Sequence, residues 1–205
     1  MRIYDISQEV FSCKVFPGDP APGGERILSI EQGDACNLTQ FRMCAHNGTH
    51  VDAPYHFLQE GKTVEQLELS CFIGECWVAE KQGAVSREDA LEILEAAFRD
   101  GGREASKRIL IKGKATVTLE AAQIFAEAGI LLLGNESQTV GPEDAPAAVH
   151  LTLLGSGVVL LEGICLEQIP PGAYVLNAAP LKLGGADGAP CRAVLMEGVT
   201  RDDWT

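Results

Sequence analysis

Apolar residues along this chain fall into short compact runs separated by amphipathic stretches, the pattern of strands alternating with helices. Ile3-Tyr4-Asp5-Ile6 reads as a strand, residues 26–30 and 38–44 as two more, and Cys76-Trp77-Val78-Ala79 as a fourth. Ser86 is placed to cap a helix whose first turn carries Glu88 and Asp89, where acidic side chains complement the helix dipole. Leu91, Leu94 and Phe98 keep helical spacing on one side of it, and Gly101-Gly102 is expected to stop it. Arg108-Ile109-Leu110-Ile111 and Ile130-Leu131-Leu132-Leu133 are apolar runs suited to buried strands, and between them Thr118 caps a helix over 119–128 that Gly129 ends. Strand, helix and strand so closely spaced predict a βαβ unit with parallel strands. A helix over 145–154 then turns through Gly155-Ser156-Gly157 into a strand over 158–161 closed by Glu162. Two last strands, over 173–177 and 192–196, flank a turn at 185–190. The order predicts an α/β fold.

At 205 residues the chain suits one domain, 1–205, with a real core. A formal net charge of −13 would repel nucleic acid or an anionic membrane, so neither is expected as a partner. The first residues lack a basic region followed by an apolar run, and no segment is long and apolar enough to span a membrane, which predicts a cytoplasmic protein. Seven cysteines, an odd number without a CxxC pair, fit spare or buried thiols in a reducing compartment.

Candidate chemistry concentrates in His46-Asn47-Gly48-Thr49-His50-Val51-Asp52-Ala53-Pro54-Tyr55-His56, which holds three of the four histidines. His46 and His50 are four apart, a spacing that shares a face on a helical turn. His50 and Asp52 are two apart, a spacing that shares a face on a strand. Pro54 biases Ala53 toward extended backbone, so the motif is expected to bend from a turn into a strand. Imidazole and carboxylate suit a borderline divalent metal such as Zn²⁺, with Mn²⁺ or Fe²⁺ also served; the alternative is polar loop or core histidines. His150 and Glu162 lie far along the chain. Taken alone, Glu162 reads as a solvated strand-end carboxylate, although ligands in α/β folds collect at the carboxyl ends of strands. Phe16 opens a Pro- and Gly-rich loop over 16–24 that reads as a wall of a site or a plain connection. Gly155-Ser156-Gly157 lies between a helix and a strand, the wrong order for a dinucleotide cradle. No G-x-S-x-G elbow exists, which disfavours a serine hydrolase of the α/β-hydrolase type.

Residues 46–57 resemble the H-x-G-T-H-x-D-x-P-x-H-F signature of the metal-dependent cyclase family, which includes bacterial arylformamidases (kynurenine formamidases) and isatin hydrolases. Pro17-Gly18-Asp19, the segments of His150 and Glu162, and residues 179–194 resemble family segments in the same order. The resemblance implies a single domain with a mixed, barrel-like β-sheet core and flanking helices, the swivelling β/β/α fold. It implies that His46, His50 and Asp52 hold one Zn²⁺ and that Asp52, His150 and Glu162 hold a second, with Asp52 and Glu162 shared, two ions per subunit. It assigns His56 as proton donor and acceptor. It puts Phe16 at a substrate-contacting position that is tryptophan in arylformamidases; phenylalanine keeps a stacking face but loses area and an N–H donor. The implied activity is hydrolysis of a small-molecule C–N bond by a metal-activated water, as for N-formylkynurenine in tryptophan catabolism, and the implied assembly is a homodimer. The competing enzyme reading is hydrolysis of a cyclic amide or lactone with Mn²⁺. A binding module merely stapled by metal is the non-enzyme alternative; it would want a closed ligand set and no spare histidine such as His56.

Overall fold

The computed structural model describes residues 1–198; the expected domain's last residues, 199–205, lie outside the described residues. Four apolar runs form its centre: β5 (Ile73–Glu80), β7 (Arg108–Lys112), β9 (Leu132–Asn135) and β10 (Val159–Glu162), paired in that order and parallel. Their side chains alternate between two apolar clusters. Ile109, Ile111, Leu133 and Leu160 enter one cluster, while Leu110, Leu132, Val159 and Leu161 enter the other. Burial on both faces is why these strands read as unbroken apolar runs rather than as alternating ones.

Antiparallel strands extend both edges of this centre. On one side stand β11 (Gly172–Asn177), β13 (Val194–Glu197) and β1 (Arg2–Asp5); on the other stand β4 (His50–Asp52) and then β12 (Gly188–Pro190). The result is one curled, mixed sheet of nine strands. Two small ribbons lie outside it: β2 (Gly23–Leu28) with β3 (Leu38–Arg42), and β6 (Gly83–Val85) with β8 (Ala115–Val117).

One cluster is roofed by helices α1 (Arg87–Ala96), α3 (Leu119–Glu127) and α4 (Ala147–Gly155). Thr118 caps α3 by accepting the Ala121 N–H, and Ala121, Ala122, Ile124 and Phe125 are buried beneath it. The expected βαβ unit is present, with α3 between parallel β7 and β9.

Three local expectations are corrected. Along α1 and the turn after it the buried stripe is Ala90, Ile93 and Ala97; Leu94 packs against the same core, whereas Leu91 and Phe98 are 47% and 62% exposed. Small alanines let the helix approach the sheet and α3 closely, and a count of large apolar residues selects the wrong face. Gly101-Gly102 does stop the helix, after a π-turn over Ala97–Gly101: Gly102 leaves the helical path at φ +84° and opens the short α2 (Gly102–Ala105). A Cβ at Gly101 would lie 3.0 Å from the Trp77 ring, so the glycine serves close packing. The strand expected over 130–133 is shifted to Leu132–Asn135, and the turn at 185–190 contributes a strand, β12.

Candidate metal centre

Strand register builds the site. In β4 the odd member, Val51, enters the core beneath the sheet, so His50 and Asp52 project from the opposite, helix-covered face. Antiparallel pairing sets His50 directly opposite Glu162 and Asp52 opposite Leu160. Glu162 ends β10, and α4, which precedes that strand, lowers His150 onto the same place. The site therefore lies at the carboxyl end of the parallel strands.

Five side chains converge there. His50 Nε2 is 3.3 Å from Asp52 Oδ1 and 3.5 Å from Glu162 Oε2. His150 Nε2 is 3.2 Å from Glu162 Oε1 and 3.6 Å from Asp52 Oδ2. His46 Nδ1 lies 2.9 Å from Asp52 Oδ1. His50 and Asp52 are each 1% exposed and Glu162 2%, a degree of burial that carboxylates tolerate only when paired or coordinated.

In each of the three imidazoles the nitrogen facing away from the cluster is tied off. His50 Nδ1 donates to the Gly48 carbonyl at 3.0 Å and His150 Nδ1 to the Pro146 carbonyl at 2.9 Å. A carbonyl only accepts, so Nδ1 carries the proton, and in the neutral ring the Nε2 lone pair faces the carboxylates. For His46 the far nitrogen is Nε2, which donates to Asp187 Oδ2 at 2.8 Å. Gly188 makes room for that ring, since a Cβ there would stand 2.7 Å from His46 Cε1.

His56 follows Pro54 on a 3-10 turn and stacks on His46 with ring centroids 4.0 Å apart. Its Nδ1 donates to Asp187 Oδ2 at 3.2 Å. His56, spare to the implied ligand set, has a ring nitrogen within 4.8 Å of ligand atoms of His46 and Asp52. The structure thus brings His46, His50, Asp52, His56, His150 and Glu162 together, and all but the buried Asp52 line one cavity of about 540 Å³ that has Phe16 and Phe57 in its wall.

Asp187 was not among the candidates. It lies far along the chain in the stretch Gly185-Ala186-Asp187-Gly188, read as a turn, and only the pairing of β12 with β4 delivers it. The signals available were a single carboxylate among glycines and its place in the segment 179–194 that resembles the family.

Charges in the cluster hold protons where no cation is bound. Burial pulls His46 down, but hydrogen bonds to Asp187 and Asp52 outweigh it and put its pKa at about 9. For His50 the same opposition, with Asp52 and Glu162 as partners, gives about 10. His150 is raised as well, Glu162 overcoming burial. Burial would raise Asp52, yet bonds from His46 and His50 hold it well below the usual carboxylate range. The bond from His46 lowers Asp187 to about 2. His56 is the exception: burial lowers it, the charge of Asp52 opposes, and His46 adds to the lowering.

A pocket that strongly favours positive charge fits a cation. Asp52 Oδ2 is buried with no hydrogen-bond partner among the described residues, and such an orphaned oxygen is costly unless something coordinates it. Nitrogen and carboxylate donors converge on it, a donor set that matches borderline divalent metals.

A buried histidine–carboxylate centre open to a cavity, at the strand ends of a curled mixed sheet, defines the class of metal-dependent hydrolases. The Cyclase family model matches residues 4–142. A kynurenine formamidase from Erythrobacter litoralis is 32% identical over 96% of this chain and 94% of its own. Among solved structures, one described as a potential metal-dependent hydrolase with cyclase activity superposes with TM-score 0.78 at 26% identity, covering 95% of this chain and 96% of its own. Isatin hydrolase A from Labrenzia aggregata shares the fold, with TM-score 0.77 at 22% identity over 95% and 93% of the two chains. The chain belongs to the Cyclase family.

Proposed function

We propose that this protein hydrolyses the C–N bond of a small aryl formamide of the N-formylkynurenine type. The observation that carries the reading is the meeting of residues 46–52 with His150 and Glu162 around the unpartnered Asp52 Oδ2. Likeness to kynurenine formamidases over nearly the whole chain supports the substrate class. The ligands in this reading are His46, His50 and Asp52 for one Zn²⁺, and Asp52, His150 and Glu162 for a second, two ions per subunit.

Bound there, a divalent cation supplies Lewis-acid polarisation of the substrate carbonyl and activation of water near neutral pH. The remaining work falls to side chains. Phe16 and Phe57 offer aromatic faces to the substrate ring from the cavity wall. Asp187 accepts from His56 Nδ1 and so directs the opposite nitrogen, Nε2, away from itself. His56, neutral at pH 7 because its pKa is lowered, takes a proton from the attacking water at Nε2. It returns that proton to the departing nitrogen, which is a poor leaving group without it.

The test is an assay of metal-replete protein on N-formylkynurenine, simpler aryl formamides and isatin, with elemental analysis of protein purified without added metal. Turnover of formamides supports the reading. Turnover of isatin alone moves the activity to cyclic amides. Loss of folding on metal removal, with no turnover of any of these, leaves a metal-stapled binding module.

The assembly in this reading is a homodimer. The β2/β3 ribbon exposes Ile27, Leu38 and Phe41, and an isolated two-stranded ribbon is marginal in water. A monomeric mass by light scattering would remove the dimer. A reducing cytoplasm is the compartment proposed, supported by seven unpaired cysteines; no helix among the described residues is long and apolar enough to cross a membrane.

A further inference from the structure

Beside the metal centre runs a chain of side-chain amides with no part in the chemistry above, one of which, Gln138, also stands in the cavity wall. The Lys14 N–H donates to Gln8 Oε1 at 2.8 Å, which turns the Gln8 NH₂ toward the site. That NH₂ spends one hydrogen on the Gly163 carbonyl at 2.7 Å and the other on Gln138 Oε1 at 2.8 Å. Gln138 is thereby oriented in turn, and its Nε2 donates to the Gly48 carbonyl at 2.9 Å. Backbone donors and acceptors at the ends of the chain determine both amide orientations, so neither side chain can flip without losing bonds.

The Gly48 carbonyl is the same oxygen that accepts from His50 Nδ1. Gly163 directly follows Glu162. The amide chain therefore grips the two backbone segments that carry His50 and Glu162. Space at this junction is accounted for: a Cβ on Gly163 would lie 2.3 Å from the Gly48 oxygen, 2.5 Å from Gln138 Oε1 and 2.7 Å from Gln8 Nε2. Gly48 and Gly163 both adopt positive φ, +65° and +67°, the left-handed region that favours glycine.

We propose that Gln8 and Gln138 are positioning residues for the metal centre, acting through the Gly48 carbonyl to hold His50 with Nε2 toward the cation and through Gly163 to hold Glu162 in register with it. The inference rests on the reading of His50 and Glu162 as metal ligands. Residues that orient a ligating imidazole change metal affinity by about 10- to 100-fold. One bond further out, the lower end of that range is expected.

The test uses Co²⁺, whose visible absorption reports ligand geometry, titrated against a chromophoric chelator. Gln138→Met keeps the length of the side chain and adds no charge to the cavity wall but removes the donor to Gly48. It is expected to bind Co²⁺ about tenfold more weakly, with a shifted visible band, and Gln8→Ala should do the same. A purely structural role would lower the melting temperature while leaving the band of the bound ion unchanged. Variants that bind within twofold of wild type with an unchanged band overturn the positioning role and leave the ligand reading intact. A wild-type chain that takes up no Co²⁺ overturns the ligand reading and the inference with it. Should both variants fail to fold, wild-type protein loaded with Zn²⁺ decides by nuclear magnetic resonance. The side-chain NH₂ protons of Gln8 and Gln138 must exchange slowly, and exchange as fast as from exposed amides refutes the arrangement.

Discussion

Raising the pH during metal uptake sets protons and cation in competition for the same nitrogens. His50, at about 10, and His46, at about 9, both carry an extra proton in metal-free protein at pH 7.5. Each must lose it to become a ligand. One pKa unit corresponds to about 1.4 kcal/mol, so uptake at pH 7.5 spends about 3 kcal/mol on His50 and about 2 kcal/mol on His46. Both costs shrink as the pH rises. With two protons displaced at the site of His46 and His50, the logarithm of the apparent affinity there is expected to climb by about two per pH unit from about 6.5 to about 8.5, then flatten above 9 to 10. Imidazoles with the ordinary pKa near 6.5 would give an almost flat line above pH 7.5. The assay is chelator competition with Co²⁺ or Mn²⁺ across this range, corrected for the chelator's own protons. Calorimetry in buffers of different ionisation enthalpy counts the protons released. A slope below one between pH 7 and 8.5, or release of fewer than one proton, refutes the proton-loaded cluster.

Four further outcomes follow from the same geometry. His56→Ala should retain metal and lose roughly 10² to 10⁴ in rate, whereas full activity with metal bound removes His56 from the proton path. In metal-free protein, raised histidine pKa values stabilise the fold below pH 6.5 and lose that contribution as the pH passes 9 to 10; the lowered Asp187 contributes above pH 3.8 and fails as the pH falls through about 2. The melting temperature without metal should therefore be highest between about pH 4 and 6.5 and fall by several degrees toward pH 9, and a rise over that interval contradicts the assignment. Ile93→Ala should cost about 2 to 4 kcal/mol by denaturant titration while Phe98→Ser stays within about 0.5 kcal/mol; equal losses would restore the opposite face of α1. Gly188→Ala forces a Cβ against the Val51 carbonyl at 2.5 Å and His46 Cε1 at 2.7 Å, so it should weaken metal binding at least tenfold, and unchanged uptake would show that His46 is not confined there.

The ligand types and much of their local geometry are legible in the sequence. Two-residue spacing puts His50 and Asp52 on one face of a strand whatever the fold around it, because side chains on a strand alternate. The parallel unit around α3 is equally local, since capping by Thr118, a buried apolar stripe and flanking apolar runs lie within one short segment. Other features depend on which segments meet. Glu162 opposite His50 is a matter of register, and a slip of one residue would turn the carboxylate to the other face. Asp187 reaches the two histidines because β12 pairs with β4, although 131 residues separate it from His56. The inward face of α1 was chosen by alanines that permit close approach, a property of the surface it meets and not of its own periodicity. Sequence alone thus determined the donor atoms and which of them share a face; tertiary structure decided which distant carboxylates join them and which way each imidazole turns. Hydrogen bonds and coordination act over about 3 Å, a distance that spacing along the chain controls only between near neighbours.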